Sequence, residues 1–159
     1  DFRRIGLMRN PTNFGTTTVA TASTRRQLYA AVFSSVSGTF AADEEINQAS
    51  TGAVGKVVEY DATNKLLYWY QTRFPDVGTD ANGNATAFSG ANAITGQTSS
   101  ASATPNTSSS TDVNGVSITS GYSNPELAAD SGDIIYVEER SPITRASDQT
   151  ENIKLIIEF

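Results

Sequence analysis

The feature that most constrains the fold is the stretch VGKVVEYDATNKLLYWYQTRF, in which two alternating runs, Val57 to Tyr60 and Leu66 to Tyr70, flank the polar segment DATNK. Alternating runs broken by turn-forming residues are the signature of a β-hairpin. Period-two geometry sends Leu67 and Trp69 to one face of the second strand and Leu66, Tyr68 and Tyr70 to the other. Both faces are then apolar enough to need covering, so this strand is expected to be central or to lie at an interface.

Further strands and turns extend the pattern. Phe2, Ile5 and Leu7 form a short first run that Asn10 and Pro11 stop. TASTRRQLYAAVFSSVSGTF is ambiguous: Leu28 with Val32 and Tyr29 with Phe33 have helical spacing, whereas Tyr29, Ala31 and Phe33 alternate. Its β-branched and aromatic content and its Ser/Gly exit favour a strand, with Thr24 as the N-cap of the helical alternative. Asn-Gly pairs in DANGN (80–84) and DVNGV (112–116) suit the positive-φ positions of tight hairpin turns, so both are expected at strand tips.

A faint repeat runs through the middle. Phe40, Ile46 and Ala53 recur as Phe88, Ile94 and Ala101, each pair 48 positions apart. Two copies of a small β unit would bury more if their Phe and Ile anchored one core. The second copy runs into TSSASATPNTSSST (98–111), where ten of fourteen residues are Ser or Thr. That composition implies an exposed loop, or an edge strand whose polarity discourages pairing.

Absences narrow the chemistry. The chain has no Cys and no His, which removes disulfides, thiolate nucleophiles, the serine-triad relay and the commonest transition-metal ligand. A net charge of −6 opposes binding to a phosphate backbone, which depends on clustered Lys and Arg. No apolar run approaches the roughly 20 residues that span a bilayer. At 159 residues one domain is expected, and the start at Asp1 without a signal-peptide pattern suggests a piece of a longer or processed chain.

Candidate sites are weak. Asp43, Glu44 and Glu45, and separately Glu138 and Glu139, are adjacent carboxylates, but neighbours on a strand point to opposite faces, so neither group supplies a glycosidase pair alone. They are expected to be solvated loop charges. DANGNA places oxygens at Asp80, Asn82 and Asn84 like the start of a calcium loop. It lacks the glycine after the third ligand, and Ala91 stands where a bidentate Glu is required. Arg25 and Arg26 read as a surface pair, and the sequons at Asn84 and Asn106 matter only in a secretory pathway. No catalytic, cofactor-binding or metal-ligating residue is assigned.

The C-terminal stretch has a sharper pattern. Ile134 to Val137 form one apolar strand, and Ile153, Leu155, Ile157 and Phe159 line one face of another, so two core strands are expected to close the chain. Between them EERSPITRASDQTEN must be a structured connection, with Pro142 giving no ladder donor and Asp148 able to cap a turn at Thr150. Arg140 and Arg145 have Glu138, Glu139 and Asp148 as ion-pair candidates.

PEL, SGDIIYVEERSPITRASDQTENIKLIIEF and the opening FRRIGLMRNP resemble the C-terminal part of a baseplate wedge subunit of contractile-tailed bacteriophages, of the T-even type and its cyanophage relatives. The resemblance rests on Ile135, Tyr136, Glu138, Arg140, Pro142, Ile143, Asp148, Gln149, Thr150, Glu151 and Phe159. It divides the chain into a family-like core, 1–12 plus 124–159, and an inserted β-rich module, 13–123, and the family's large N-terminal portion has no counterpart here. It implies an all-β, antiparallel, β-sandwich-like fold in which the terminal strands share one sheet. It also implies a structural virion component, made in the bacterial host cytoplasm, that has no enzymatic activity and no cofactor. The full subunit would form a homodimer and contact other wedge subunits during assembly and tail contraction, without nucleic-acid contact or membrane insertion. Glu138, Arg140, Pro142, Asp148, Gln149 and Phe159 are the residues proposed for the interface or the ordered connection. Two other classes compete: a module whose Ser/Thr-rich loop and exposed Tyr68, Trp69 or Tyr70 bind a host-surface glycan, and a carboxylate-only glycosidase.

Overall fold

The computed structural model describes residues 4–23, 26–72, 77–128 and 131–139. Every strand pairing among them is antiparallel and none of them is helical, in line with the all-β expectation. The chain divides into two compact units, residues 1–10 with 132–159, and residues 11–131.

The first unit contains β1 (Arg4–Arg9) paired with β11 (Asp133–Glu139), so the two ends of the described chain lie in one sheet as expected. The register joins Ile5 to Glu138 and Leu7 to Tyr136, with an irregularity between Leu7 and Met8.

The second unit is built on β2 (Tyr29–Ser37), β3 (Glu45–Gln48), β4 (Ala53–Asp61), β5 (Leu66–Tyr70), β6 (Ile94–Gly96) and β7 (Ser102–Pro105). They pair in the order β2-β5-β4-β3-β6-β7, and β7 returns to β2, closing a six-stranded barrel. Closure removes the exposed ladder edges of an open sheet. The long β2 makes it possible: one edge pairs with β5 through residues 29–32, while the other serves β10 (Tyr122–Ser123) at residues 30–31 and β7 at 33–37. Alternation therefore decided β2. Ala31 and Phe33 point into the barrel, whereas Ala30 and Val32 join a second cluster.

The β4–β5 hairpin follows the sequence pattern. Leu67 and Trp69 lie in the inner core, while Leu66 and Tyr68 pack with Val113, Val116 and Ile118. Those last residues belong to or follow the ribbon of β8 (Asp112–Val113) and β9 (Val116–Ser117). Its turn places Asn114 and Gly115 at φ 51° and 76°, the left-handed pair that an Asn-Gly turn accepts at low cost. The DANGN turn is closed by the single bridge Thr79–Ala85.

The Ser/Thr-rich stretch departs from the expected loop. Residues Ser102–Pro105 form β7, which pairs with β6 on one side and β2 on the other and so is no edge strand either. Ala101, Ala103 and Pro105 are buried while Ser102 and Thr104 alternate away from the core. Small side chains facing inward leave room for Phe33, Phe40 and Phe88, so low hydrophobicity here reflects a narrow interior and not exposure.

The repeat is structural. Phe40, Ile46, Ala53, Phe88, Ile94 and Ala101 all lie in the inner core. β3 pairs with β6 through Ile46–Gly96 and Asn47–Thr95. Thr95 lies 48 positions beyond Asn47, the repeat offset, so Asn47 faces its own counterpart. Two β-hairpins, β3–β4 and β6–β7, thus meet about a local two-fold at this pair.

The two ends of the barrel unit are tied together. Thr12 donates its amide to the Ser131 hydroxyl at 3.0 Å, and Ala128 donates to the Thr12 carbonyl at 2.9 Å. Arg26, read from sequence as part of a surface pair, is half-buried there. Its guanidinium donates to the Ser123 hydroxyl at 2.8 Å, to the Asn124 carbonyl at 2.7 Å and to the Leu28 carbonyl. Thr24 and Arg25 lie outside the described residues.

Candidate interaction surface

A two-stranded ribbon is at best marginally stable alone in water, and the ribbon of β1 and β11 is unusually apolar for its exposure. Ile134, Ile135, Tyr136 and Val137 are 72, 57, 47 and 65% exposed, and Ile5, Leu7 and Met8 opposite them are exposed too. The strand expected at Ile134 to Val137 is present, with these side chains exposed, and the second strand expected beside it, 153–159, lies outside the described residues. Consecutive apolar residues on a strand point to both faces, so IIYV presents grease on each side at once.

Polar groups on the ribbon are held locally. The Tyr136 hydroxyl donates to the Glu138 carboxylate at 2.9 Å, and Arg9 pairs with its register partner Asp133 at 3.5 Å between two largely exposed side chains. Such an exposed pair adds little stability. Of the residues proposed from sequence, Glu138 is placed on the ribbon opposite Ile5. Arg140, Pro142, Asp148, Gln149 and Phe159 lie outside the described residues, as do Arg145 and the apolar run 153–159.

The remaining candidates resolve into structural roles. Asp80 spends its carboxylate on the amides of Asn82 and Asn84, at 2.8 and 2.9 Å, which holds it below the ordinary aspartate range and shapes the turn. Among the described residues no group of three or more His, Cys, Asp or Glu is arranged to hold a metal ion. Trp69 is buried at 1% exposure and so offers no platform to a sugar, Tyr68 is half-buried against β8–β9, and Tyr70 is exposed.

Glu44 contradicts the expectation of a solvated charge. It is 4% exposed and accepts four hydrogen bonds: from the amides of Ala41, Thr98 and Ser99 at 2.7, 3.1 and 2.9 Å, and from the Ser99 hydroxyl at 2.7 Å. Burial pushes its carboxyl up, but the bonds from Ser99, Ala41 and Thr98 together outweigh burial and hold it below the ordinary value. Such an accepting cluster is what a buried carboxylate needs to remain ionised. Asp43, in the turn before β3 at φ 63°, and Glu45, the first residue of β3, are exposed beside it.

A family model described as Bacteriophage T4, Gp8 matches residues 70–159, more than half of the chain. The chain belongs to the T4 Gp8 family. Gp8 is a baseplate wedge protein, so this family member has a structural role in the phage tail baseplate. The Gp8 match opens at Tyr70, the last residue of β5, and takes in β6 to β11. It therefore includes barrel residues 70–123 as well as the C-terminal stretch that carried the resemblance. No curated protein and no solved structure matches this Gp8 family member.

Proposed function

We propose that this chain works through protein–protein contact, with the ribbon of β1 and β11 as its docking surface for a neighbouring wedge subunit during baseplate assembly and tail contraction. The observation that carries it is a ribbon whose seven apolar side chains, Ile5, Leu7, Met8, Ile134, Ile135, Tyr136 and Val137, are exposed. A monomeric soluble protein rarely leaves such a patch uncovered, and a wedge-protein family supplies partners to cover it. In this proposal the family-like core is 1–12 plus 124–159, and the barrel is a module carried between the ribbon's strands. The residues that flank that module, Thr12 on one side and Ala128 and Ser131 on the other, are tied together, which suits insertion between two adjacent strands. The full subunit is proposed to be a homodimer, made in the host cytoplasm, without catalytic activity or nucleic-acid contact, and its interfaces should be of the order of 2,000 Å².

The test mixes the full subunit with purified wedge neighbours and follows co-migration. Ile134→Lys with Val137→Lys should weaken co-migration by about tenfold or more, since desolvating each introduced charge at an apolar contact is costly. Val58→Lys, on an exposed barrel position, should leave it intact. Unchanged co-migration of the ribbon double variant would remove the proposal. Light scattering on the full subunit checks the homodimer separately.

A further inference from the structure

The two hairpins related by the local two-fold are each pinned at the same place, but by chemically different groups. In one half the Ala41 amide and the Ser99 hydroxyl donate to Glu44 Oε1 at 2.7 Å each. In the other the Ser89 amide and the Thr51 hydroxyl donate to Gln48 Oε1, at 2.8 and 2.9 Å. Ala41 and Ser89 are 48 positions apart, as are Thr51 and Ser99, so these are equivalent seams. One is held by a carboxylate and the other by a neutral carboxamide. Both side chains are buried.

We propose that Glu44 is an acid-sensitive latch that joins the connection before β3 to the β6–β7 turn, and that its protonation opens this seam while the Gln48 seam stays closed. The carboxylate offers acceptors only, and four donors converge on it. A protonated carboxyl carries an O–H that must face one of those donors, which leaves a buried donor unpaired. Gly96 makes the room: a Cβ there would stand 2.6 Å from both carboxylate oxygens. Burial and hydrogen bonds, not a neighbouring charge, set the state of Glu44. The turn residues Gln97, Thr98, Ser99 and Ser100 have no ionisable side chain. Asp43 and Glu45 flank it in the chain and Lys56 stands opposite Glu45 on β4, all three exposed. The sign follows from the lowered carboxyl: its contribution is complete above the ordinary glutamate value of 4.5 and is lost as pH falls through the folded-state value.

Amide hydrogen exchange on the 159-residue chain, corrected for intrinsic pH dependence, reads the two seams in one molecule. On acidification from neutral pH, protection of Ala41, Thr98 and Ser99 should fall about tenfold while Ser89 keeps its protection. Glu44→Gln puts an NH2 where the second carboxylate oxygen accepts from Thr98 and Ser99, and should show those two amides already open at neutral pH. Should that variant not fold, Gly96→Ala displaces the flexible carboxylate without altering its chemistry and should open them too. Loss of protection at all four amides together, or unchanged protection of the first three once the Glu44 carboxyl resonance has titrated, would overturn the latch.

Discussion

Trp69→Ala is expected to destabilise the barrel by about 4 kcal/mol, the range for deleting a large buried aromatic whose surroundings cannot collapse. Trp69 stacks on Tyr29 at 6.0 Å and meets Phe88 edge-on at 5.0 Å, so its removal strips one partner from each of two aromatic pairs. Relaxation is limited because the strands around it belong to a closed ring. Gly55 shows how tight the site is: a Cβ there would stand 2.7 Å from Trp69 Cδ1 and 3.2 Å from the Tyr70 carbonyl. Trp69→Phe should cost far less, about 1–2 kcal/mol. The indole Nε1 is buried without a hydrogen-bond partner among the described residues, so phenylalanine gives up volume but also removes an unsatisfied donor. Urea unfolding of the three proteins measures the ordering. Equal losses for the two variants would mean that the indole N–H does find a partner in solution.

How much of this was legible in sequence depends on whether the information is local. The alternation from Leu66 to Trp69 assigned those four side chains to two opposite faces, and Asn114-Gly115 marked the ribbon turn, because period-two patterning and turn chemistry are written in adjacent residues. Ring closure is a property of register between distant strands, so nothing within β2 announced that one of its edges would serve both β10 and β7. β7 was missed because composition was weighed above periodicity: the alternation of Ala101, Ala103 and Pro105 with Ser102 and Thr104 is visible, but small inward residues carry little hydrophobic signal.

The site divides in the same way. The terminal pairing of β1 with β11 was legible from the two matched ends, but the exposure of Ile134 to Val137 was not, since an apolar run looks the same whether a second layer covers it or a partner does. Glu44 was hidden among three consecutive acids. The signal that could have found it is the repeat: Phe40 and Phe88 align the connections before β3 and β6, and Gly96 falls where the carboxylate needs space.

The neutral seam supplies the second large effect. Gln48 is fully buried, and besides accepting from Ser89 and Thr51 it donates through Nε2 to the Asn92 carbonyl at 2.9 Å and to the Tyr122 hydroxyl at 3.2 Å. The Tyr122 hydroxyl in turn donates a hydrogen bond to the Gly90 carbonyl at 2.7 Å, so one amide fastens β3, the 89–92 connection and β10 together. Gln48→Leu keeps nearly the same volume, which isolates the hydrogen bonds from packing. It leaves the Ser89 amide, the Thr51 hydroxyl and the Asn92 carbonyl without that partner, and the expected loss is about 3 kcal/mol. The loss should be independent of pH through the acid range in which the Glu44 seam weakens, because nothing at the Gln48 seam between Ser89 and Thr51 titrates there. Unfolding midpoints at several pH values check both parts. A Gln48→Leu protein as stable as the parent would mean that water replaces the carboxamide, and that the buried seam is wetter than its 0% exposure indicates.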